Sequence, residues 1–472
     1  MERLAHRSVR AVRTWLTSTP QDPSRMRDLV SLLPAEVSEM ILYEPYERGD
    51  SRDSFAFSCV LFALALSGIV LRVNKLRILA NLPGLCPDAA LSCVVGVEEL
   101  HLVVSDAATF RRLLGRLDPS ANPVSSLCVT GVSRHIPSVL RRIGKHCPNL
   151  KTAIFESSLP FDNLNKFAGM HRSSFSRTLE TLWICGPVST ATPARTDKAA
   201  DRELKPGRFP RLRNLRLDIA RCNLDLLHYF LSGSSASLEV LASAAFPGET
   251  FPSDRLLALR EFHAIFPLEQ LCPEHTHDNY VAFMEKLVAR PHTSPLMCFV
   301  VRRSGVFVFP SEVRLIERFR DTLKSSGFLL CDTDAFDSVR LLPKTKKLEL
   351  TVKHASLADL QRVLTDFEAT PRDLVLTLDR EFTSAGCNVA FLESPTLQHL
   401  FVRIQARGHQ SIFSQLITVP FVGQTFDHCP RLSSLRFSHH LFGIPCPPEL
   451  ELTDTFFYHK GSHFSPEFQR RT

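Results

Sequence analysis

From about residue 97 onward the chain repeats one short run. Leucine or an apolar substitute fills its first, fourth and sixth positions, with polar or variable residues between. Val97-Leu100-Leu102, Leu179-Leu182-Ile184, Leu212-Leu215-Leu217, Leu259-Phe262-Ala264, Leu397-Leu400-Val402 and Leu432-Leu435-Phe437 carry the pattern most fully. Weaker copies surround Leu127, Ala153, Leu241 and Leu348. The alternation around each central residue predicts a short strand with one face buried. The central positions fall at 100, 127, 153, 182, 215, 241 and 262, then at 348, 376, 400 and 435. The gap between 262 and 348 is about three of the other steps long.

Steps of roughly 20–29 residues with this leucine spacing are the mark of leucine-rich repeats, each a strand plus a helix or turn. A single unit has no partner for its apolar side, and stacking supplies one, so leucine recurs on the inward face. The phrases Cys147-Pro148-Asn149-Leu150, Phe209-Pro210-Arg211-Leu212 and Cys429-Pro430-Arg431-Leu432 precede strands. Proline there ends the preceding helix and starts an extended segment. The expected fold class is α/β. A small N-terminal helical module precedes an irregular solenoid over residues 90–460, with a curved, mostly parallel sheet and helices outside.

The array is interrupted. Residues 189–208 are polar and aperiodic and read as an exposed insertion. Residues 266–295 begin as a Pro-rich loop and continue as a helix from Asn279 to Ala289. Ser311–Ser325 reads as a helix with Val313, Ile316, Phe319 and Leu323 on one side. Between them, the strand-like runs Met297–Arg302 and Gly305–Phe309 fit either a hairpin or a distorted repeat.

Residues 1–28 form a basic leader with Arg3, Arg7, Arg10 and Arg13 at helical spacing. Such a segment serves as a targeting presequence, a basic surface helix or a solvated tail. Residues 29–80 form short helices. Pro34 suits a first helical turn, and Val37, Met40 and Ile41 share a face behind Leu33. Residues 54–71 are uncharged but short for a membrane span and are read as buried helix.

Leu33-Pro34-x-Glu36-Val37 followed by Ile41-Leu42 resembles the opening of an F-box, and Asp53 with Ser58-Cys59-Val60 is similar to its second helix. Where that pattern usually closes on an aromatic–basic signature, this chain has a continuous apolar run. Leucine-rich repeats behind an F-box are a frequent arrangement, and the loosely repetitive form here resembles fungal members. The resemblance implies a substrate-recognition subunit of a cullin-based ubiquitin ligase. The F-box would bind a Skp-type adaptor through Leu33, Pro34, Val37, Ile41 and Leu42, and the repeats would hold an unknown protein substrate. The competing readings are a repeat scaffold without ligase recruitment and a membrane-tethered repeat protein using residues 54–71.

Composition narrows these choices. Of 472 residues, 56 are Lys or Arg and 49 are Asp or Glu, a net charge of +7 that is too dilute to argue for nucleic acid. The 13 cysteines include no CxxC and no framework spacing, which favours a reducing compartment, cytoplasmic or nuclear. The densest ligand-like cluster, Cys272-x-x-His275-x-His277 with His292 nearby, reads as a polar loop, so no metal site, cofactor or catalytic residue is expected. Residues beside the strand leucines should face outward. That exposes His101, Trp183, Arg216, His263, Glu349, Phe401 and Arg436. Trp183, Arg216, His263, Phe401 and Arg436 are the expected partner-binding residues, because aromatic and Arg side chains anchor interfaces.

Overall fold

The computed structural model describes residues 70–79, 91, 94–104, 106–131, 136–157, 164–186, 208–219, 224–234, 237–244, 246, 256–266, 274–291, 295–302, 310–330, 345–352, 371–378, 393–404, 419–437, 450–457 and 463–470. Leu33, Pro34, Val37, Ile41 and Leu42, the apolar run at 54–69 and the insertion at 189–207 lie outside them. The protein is α/β with a mostly parallel sheet. It divides into two compact units, Met1–Leu238 and Glu239–Thr472.

In the first unit, β1 (Leu71–Arg72), β2 (Lys75–Leu79) and β3 (Val94–Val95) come first, and β1 pairs in parallel with β3. Then follow β4 (Glu99–Val103), β5 (Ser126–Thr130), β6 (Thr152–Glu156), β7 (Thr181–Gly186) and β8 (Asn214–Ile219). β2 and β4 to β8 pair in parallel, each with the next. The ladder thus reaches back to Lys75, ahead of the first leucine triplet, so Leu71–Arg72 and Lys75–Leu79 are strands and not part of the helical module expected over 29–80, and the repeats begin before residue 90.

Burial alternates along these strands. Leu100, Leu127, Ala153, Leu182 and Leu215 form one buried row, and Leu102, Val129, Phe155, Ile184 and Leu217 form a second. Residues at odd positions between them stay half-exposed. One-residue slippage would turn both rows to solvent, so the leucine pattern fixes the register.

Parallel neighbours need a crossover, and short helical segments supply it. α1 (Ala107–Arg116) starts at Asp106, whose carboxylate accepts the Thr109 N–H at 2.8 Å. It buries Ala107, Phe110, Leu113 and Leu114, the i, i+3, i+4 stripe of a helix on a core. α2 (Ile136–His146), two 3-10 segments (Leu164–Arg172 and Ser174–Arg177) and α3 (Leu224–Ser234) occupy later crossovers. Gly131, at the end of β5, has φ +100, and a Cβ there would lie 2.2 Å from the Val104 carbonyl oxygen. Only glycine fits that approach.

The second unit repeats the plan with β9 (Val240–Ser243), β10 (Glu261–Ile265), β11 (Cys298–Arg302), β12 (Ser325–Leu330), β13 (Lys347–Val352), β14 (Asp373–Leu378), β15 (His399–Ile404) and β16 (Ser434–Phe437). All pair in parallel with their neighbours. β17 (Leu450–Phe457) and β18 (His463–Arg470) then form an antiparallel pair, and β18 also lies antiparallel to β16. α4 (Glu274–Val288), α5 (Pro310–Phe319) and α6 (Val419–His428) fill crossovers.

Two strands, β11 and β12, occupy the long gap between 262 and 348, so it holds three steps. Parallel pairing of β11 on both sides identifies it as a distorted repeat and not one arm of a hairpin. Leu374, not Leu376, aligns with Leu348 and Leu400. Both leucines lie on the buried face, so the triplet alone does not distinguish them. The helix expected from Asn279 begins five residues earlier, at Glu274. His275 and His277 therefore lie in its first turn and not in a loop, while Cys272 and His292 lie outside the described residues.

Two backbone devices recur. The residue just before each strand offers its carbonyl to two successive N–H groups of the next strand's start. Glu98 O accepts from Ser125 and Ser126, Lys151 O from Glu180 and Thr181, and Arg260 O from Met297 and Cys298, at 2.7–3.1 Å. Arg372 O does the same with Gln398 and His399. A hydroxyl then latches adjacent repeats: Thr178 Oγ1 donates to Leu150 O, Ser237 Oγ to Leu212 O and Thr322 Oγ1 to Leu296 O, at 2.8–3.1 Å. In the Cys-Pro and Phe-Pro phrases, the leucine N–H closes a turn onto the Cys or Phe carbonyl three residues back. Proline fits the second position of that turn because no donor is needed there.

Aromatic residues fill the second unit's core. Phe262 stacks on Phe299 with ring centroids 6.1 Å apart, and Phe246 meets Tyr280 edge-on at 4.8 Å. Tyr280 donates its hydroxyl to Glu312 Oε1 at 2.5 Å, which joins α4 to α5 through a fully buried polar pair.

Candidate functional surface

The residues between the two buried rows of each strand form the outward row. In the first unit, Cα pairing sets His101, Cys128, Ile154, Trp183 and Arg216 side by side on β4 to β8. All five are half-buried. Leu182 and Ile184, on either side of Trp183, have no exposure, so the indole is the outward residue of its strand.

Trp183 and Arg216 are direct partners across β7 and β8. The Arg216 guanidinium carbon sits 5.7 Å from the indole centroid. Arg216 Nε also donates to Asn214 Oδ1 at 3.3 Å. Indole and hydrogen bond together hold the guanidinium in one place, at the contact distance of a cation–π pair. Such an arrangement presents a flat apolar face beside a fork of donors.

In the second unit the outward row runs Ala242, His263, Val300, Gly327, Glu349, Val375, Phe401 and Arg436 on β9 to β16. His263, Glu349, Phe401 and Arg436 are half-buried, and Phe401 and Arg436 are direct partners. Ala242, Val300 and Val375 are buried even on this outward row. Gly327 leaves room for its two cross-strand partners: a Cβ there would lie 2.9 Å from Val300 Cγ1 and 3.2 Å from Glu349 Cβ. Of the five expected partner-binding residues, one pair falls on adjacent strands in each unit, and His263 stands apart.

His263 instead belongs to a cluster that spacing along the chain did not indicate. Its Nε2 lies 3.7 Å from Cys298 Sγ and 3.7 Å from a Glu261 carboxylate oxygen. Glu261 and Cys298 are Cα partners across β10 and β11, and His263 follows Glu261 by two on the same face. Burial pushes the Cys298 thiol up to about 11, which keeps it protonated as the protein stands, while a Ser325 hydrogen bond acts the other way. No sequence signal links positions 263 and 298; only the ladder does.

Among the described residues, no helix is long and apolar enough to cross a membrane. The chain matches no family model and no curated protein.

Proposed function

We propose that the parallel repeats form a leucine-rich-repeat solenoid whose outward strand row binds a protein, and that the segment from residue 29 up to β1 acts as an F-box. On this reading the chain is a non-catalytic substrate receptor of a cullin-based ubiquitin ligase, working in the cytoplasm or nucleus. The observation that carries the binding role is the Trp183–Arg216 pair. A half-exposed indole and guanidinium, held together on adjacent strands, have the composition and placement of an interface anchor. The ligase role rests on the Leu33-Pro34-x-Glu36-Val37 and Ile41-Leu42 pattern preceding that array.

The test is co-expression with a Skp-type adaptor. Wild-type chain should co-purify with it, and Leu33→Asp with Ile41→Asp should not. An unpaired carboxylate in a covered apolar contact costs several kcal/mol, enough to lose a micromolar complex. Equal capture of adaptor by both proteins would sink the F-box assignment. The uninterrupted apolar run at 54–71, where an F-box usually closes on an aromatic–basic signature, favours the second reading, a scaffold without ligase recruitment. Failure of the wild-type chain to capture adaptor, with binding at the strand row retained, would identify that reading.

A further inference from the structure

We propose that Glu261, His263 and Cys298 form a site for one zinc ion on the outward face of the second unit's sheet. One ligand atom from each residue lies within 4.8 Å of the other two, and among the described residues this is the one group of three such side chains. Zinc bonds of about 2.0–2.3 Å in tetrahedral array place ligand atoms roughly 3.3–3.6 Å apart. The two separations of 3.7 Å at His263 Nε2 are within a few tenths of an ångström of that requirement. The third separation, between Cys298 Sγ and the Glu261 carboxylate, is no more than 4.8 Å, so an ion must draw these two side chains together by up to about 1.3 Å.

The donor set fits the ion. Sulfur and imidazole select zinc over calcium or magnesium, and the carboxylate offsets charge. The sheet supplies rigidity: Glu261 and Cys298 are held opposite each other by ladder hydrogen bonds, and His263 is fixed two residues along the same strand. Position in the ladder also separates this cluster from an incidental ion pair. A His–Glu pair at 3.7 Å is too long for a good hydrogen bond, and the same His263 Nε2 lies equally far from the Cys298 thiol.

The surroundings are electronegative on balance. Glu349 and Lys347 both act on Cys298, with opposite signs, and Ser325 hydrogen-bonds its sulfur. With Glu261, the carboxylates outnumber the ammonium. The three ligands lie on the outward side of the sheet, with Glu261 42% and His263 17% exposed, so a fourth position is left for water. Binding exchanges the Cys298 proton for the metal: one S–H bond breaks, one S–Zn bond forms and one proton passes to solvent. The site does not depend on the ligase reading.

The test uses purified, chelator-treated full chain titrated with Co²⁺ and then Zn²⁺. Wild type should take up one equivalent of Co²⁺ with a thiolate-to-cobalt charge-transfer band and tetrahedral visible bands, and Zn²⁺ should erase both. Cys298→Ser should lose the charge-transfer band. His263→Gln and the more exposed Glu261→Gln should weaken binding by more than the roughly 10–100-fold typical of an outer-shell change. Cys128→Ser, on the first unit's outward row, should leave the spectrum unchanged. Far-UV circular dichroism confirms folding of each variant. Folded wild type without a charge-transfer band, or a band that survives Cys298→Ser and His263→Gln, overturns the site.

Discussion

Arg216 places its guanidinium carbon 5.7 Å from the centroid of the Trp183 ring, and the two residues are direct Cα partners across β7 and β8. The contact follows from register. Leu182 and Leu215 align in the buried row, so the residue after each leucine must meet its counterpart on the outward side.

That register has a measurable consequence. Leu182→Ala should cost about 2–5 kcal/mol of stability, as a large-to-small change in a close-packed core. Trp183→Ala, one residue on, should stay within about 1 kcal/mol of wild type, because it removes a half-exposed ring and a cation–π contact worth about 0.5–1 kcal/mol. Denaturant unfolding of both variants checks the order. Equal losses would mean that the indole is a core group.

Ser326 stands in the buried row between Phe299 and Leu348, and its hydroxyl makes no hydrogen bond. A buried, unpaired hydroxyl costs about 1–3 kcal/mol. Ser326→Ala should therefore hold or raise stability, by up to about 1 kcal/mol after the small loss of packing. A clear fall in melting temperature would show that the hydroxyl has a partner.

His146 gives the first unit a pH dependence. Its Nδ1–H donates to the Leu117 carbonyl at 3.3 Å, while Nε2 is buried without a partner. Burial, helped by Lys145 and Arg142, lowers its pKa below the ordinary value. The unfolded chain then takes up the proton more readily than the folded one. Stability is full above the unfolded value of about 6.5 and falls as pH drops below it. His146→Gln should flatten the stability profile between about pH 7 and pH 5 relative to wild type. Parallel profiles for the two proteins would contradict the assignment.

The strands read most easily from sequence are those whose buried rows are leucine. β4, β7, β8, β15 and β16 each carry the triplet, whose central leucine is buried on every one of them. β12 hides from that pattern: Ser326 and Gly327 occupy a buried and an outward position that Phe299 and Val300 fill on β11 and Leu348 and Glu349 fill on β13. β2, Lys-Leu-Arg-Ile-Leu, carries no full triplet and lies at the end of residues 29–80, where the face shared by Val37, Met40 and Ile41 predicts helix. Trp183 and Arg216 were legible as a pair, since equal places in consecutive repeats become neighbours in a parallel ladder. The Glu261–His263–Cys298 cluster was not. Its members lie 37 residues apart at the extremes, and β11 lacks a clear triplet to align them.

The proposed division of labour between the N-terminal segment and the strand row is tested most directly by a paired capture experiment. Wild type, the Leu33→Asp/Ile41→Asp variant and the Trp183→Ala/Arg216→Ala variant are compared for bound Skp-type adaptor and for a cross-linked substrate protein. The account predicts that the first variant loses adaptor and keeps substrate. The second should keep adaptor and lose substrate, by about 1–3 kcal/mol per anchor removed. Absence of adaptor from the wild-type chain, or loss of both partners together in folded variants, would contradict it.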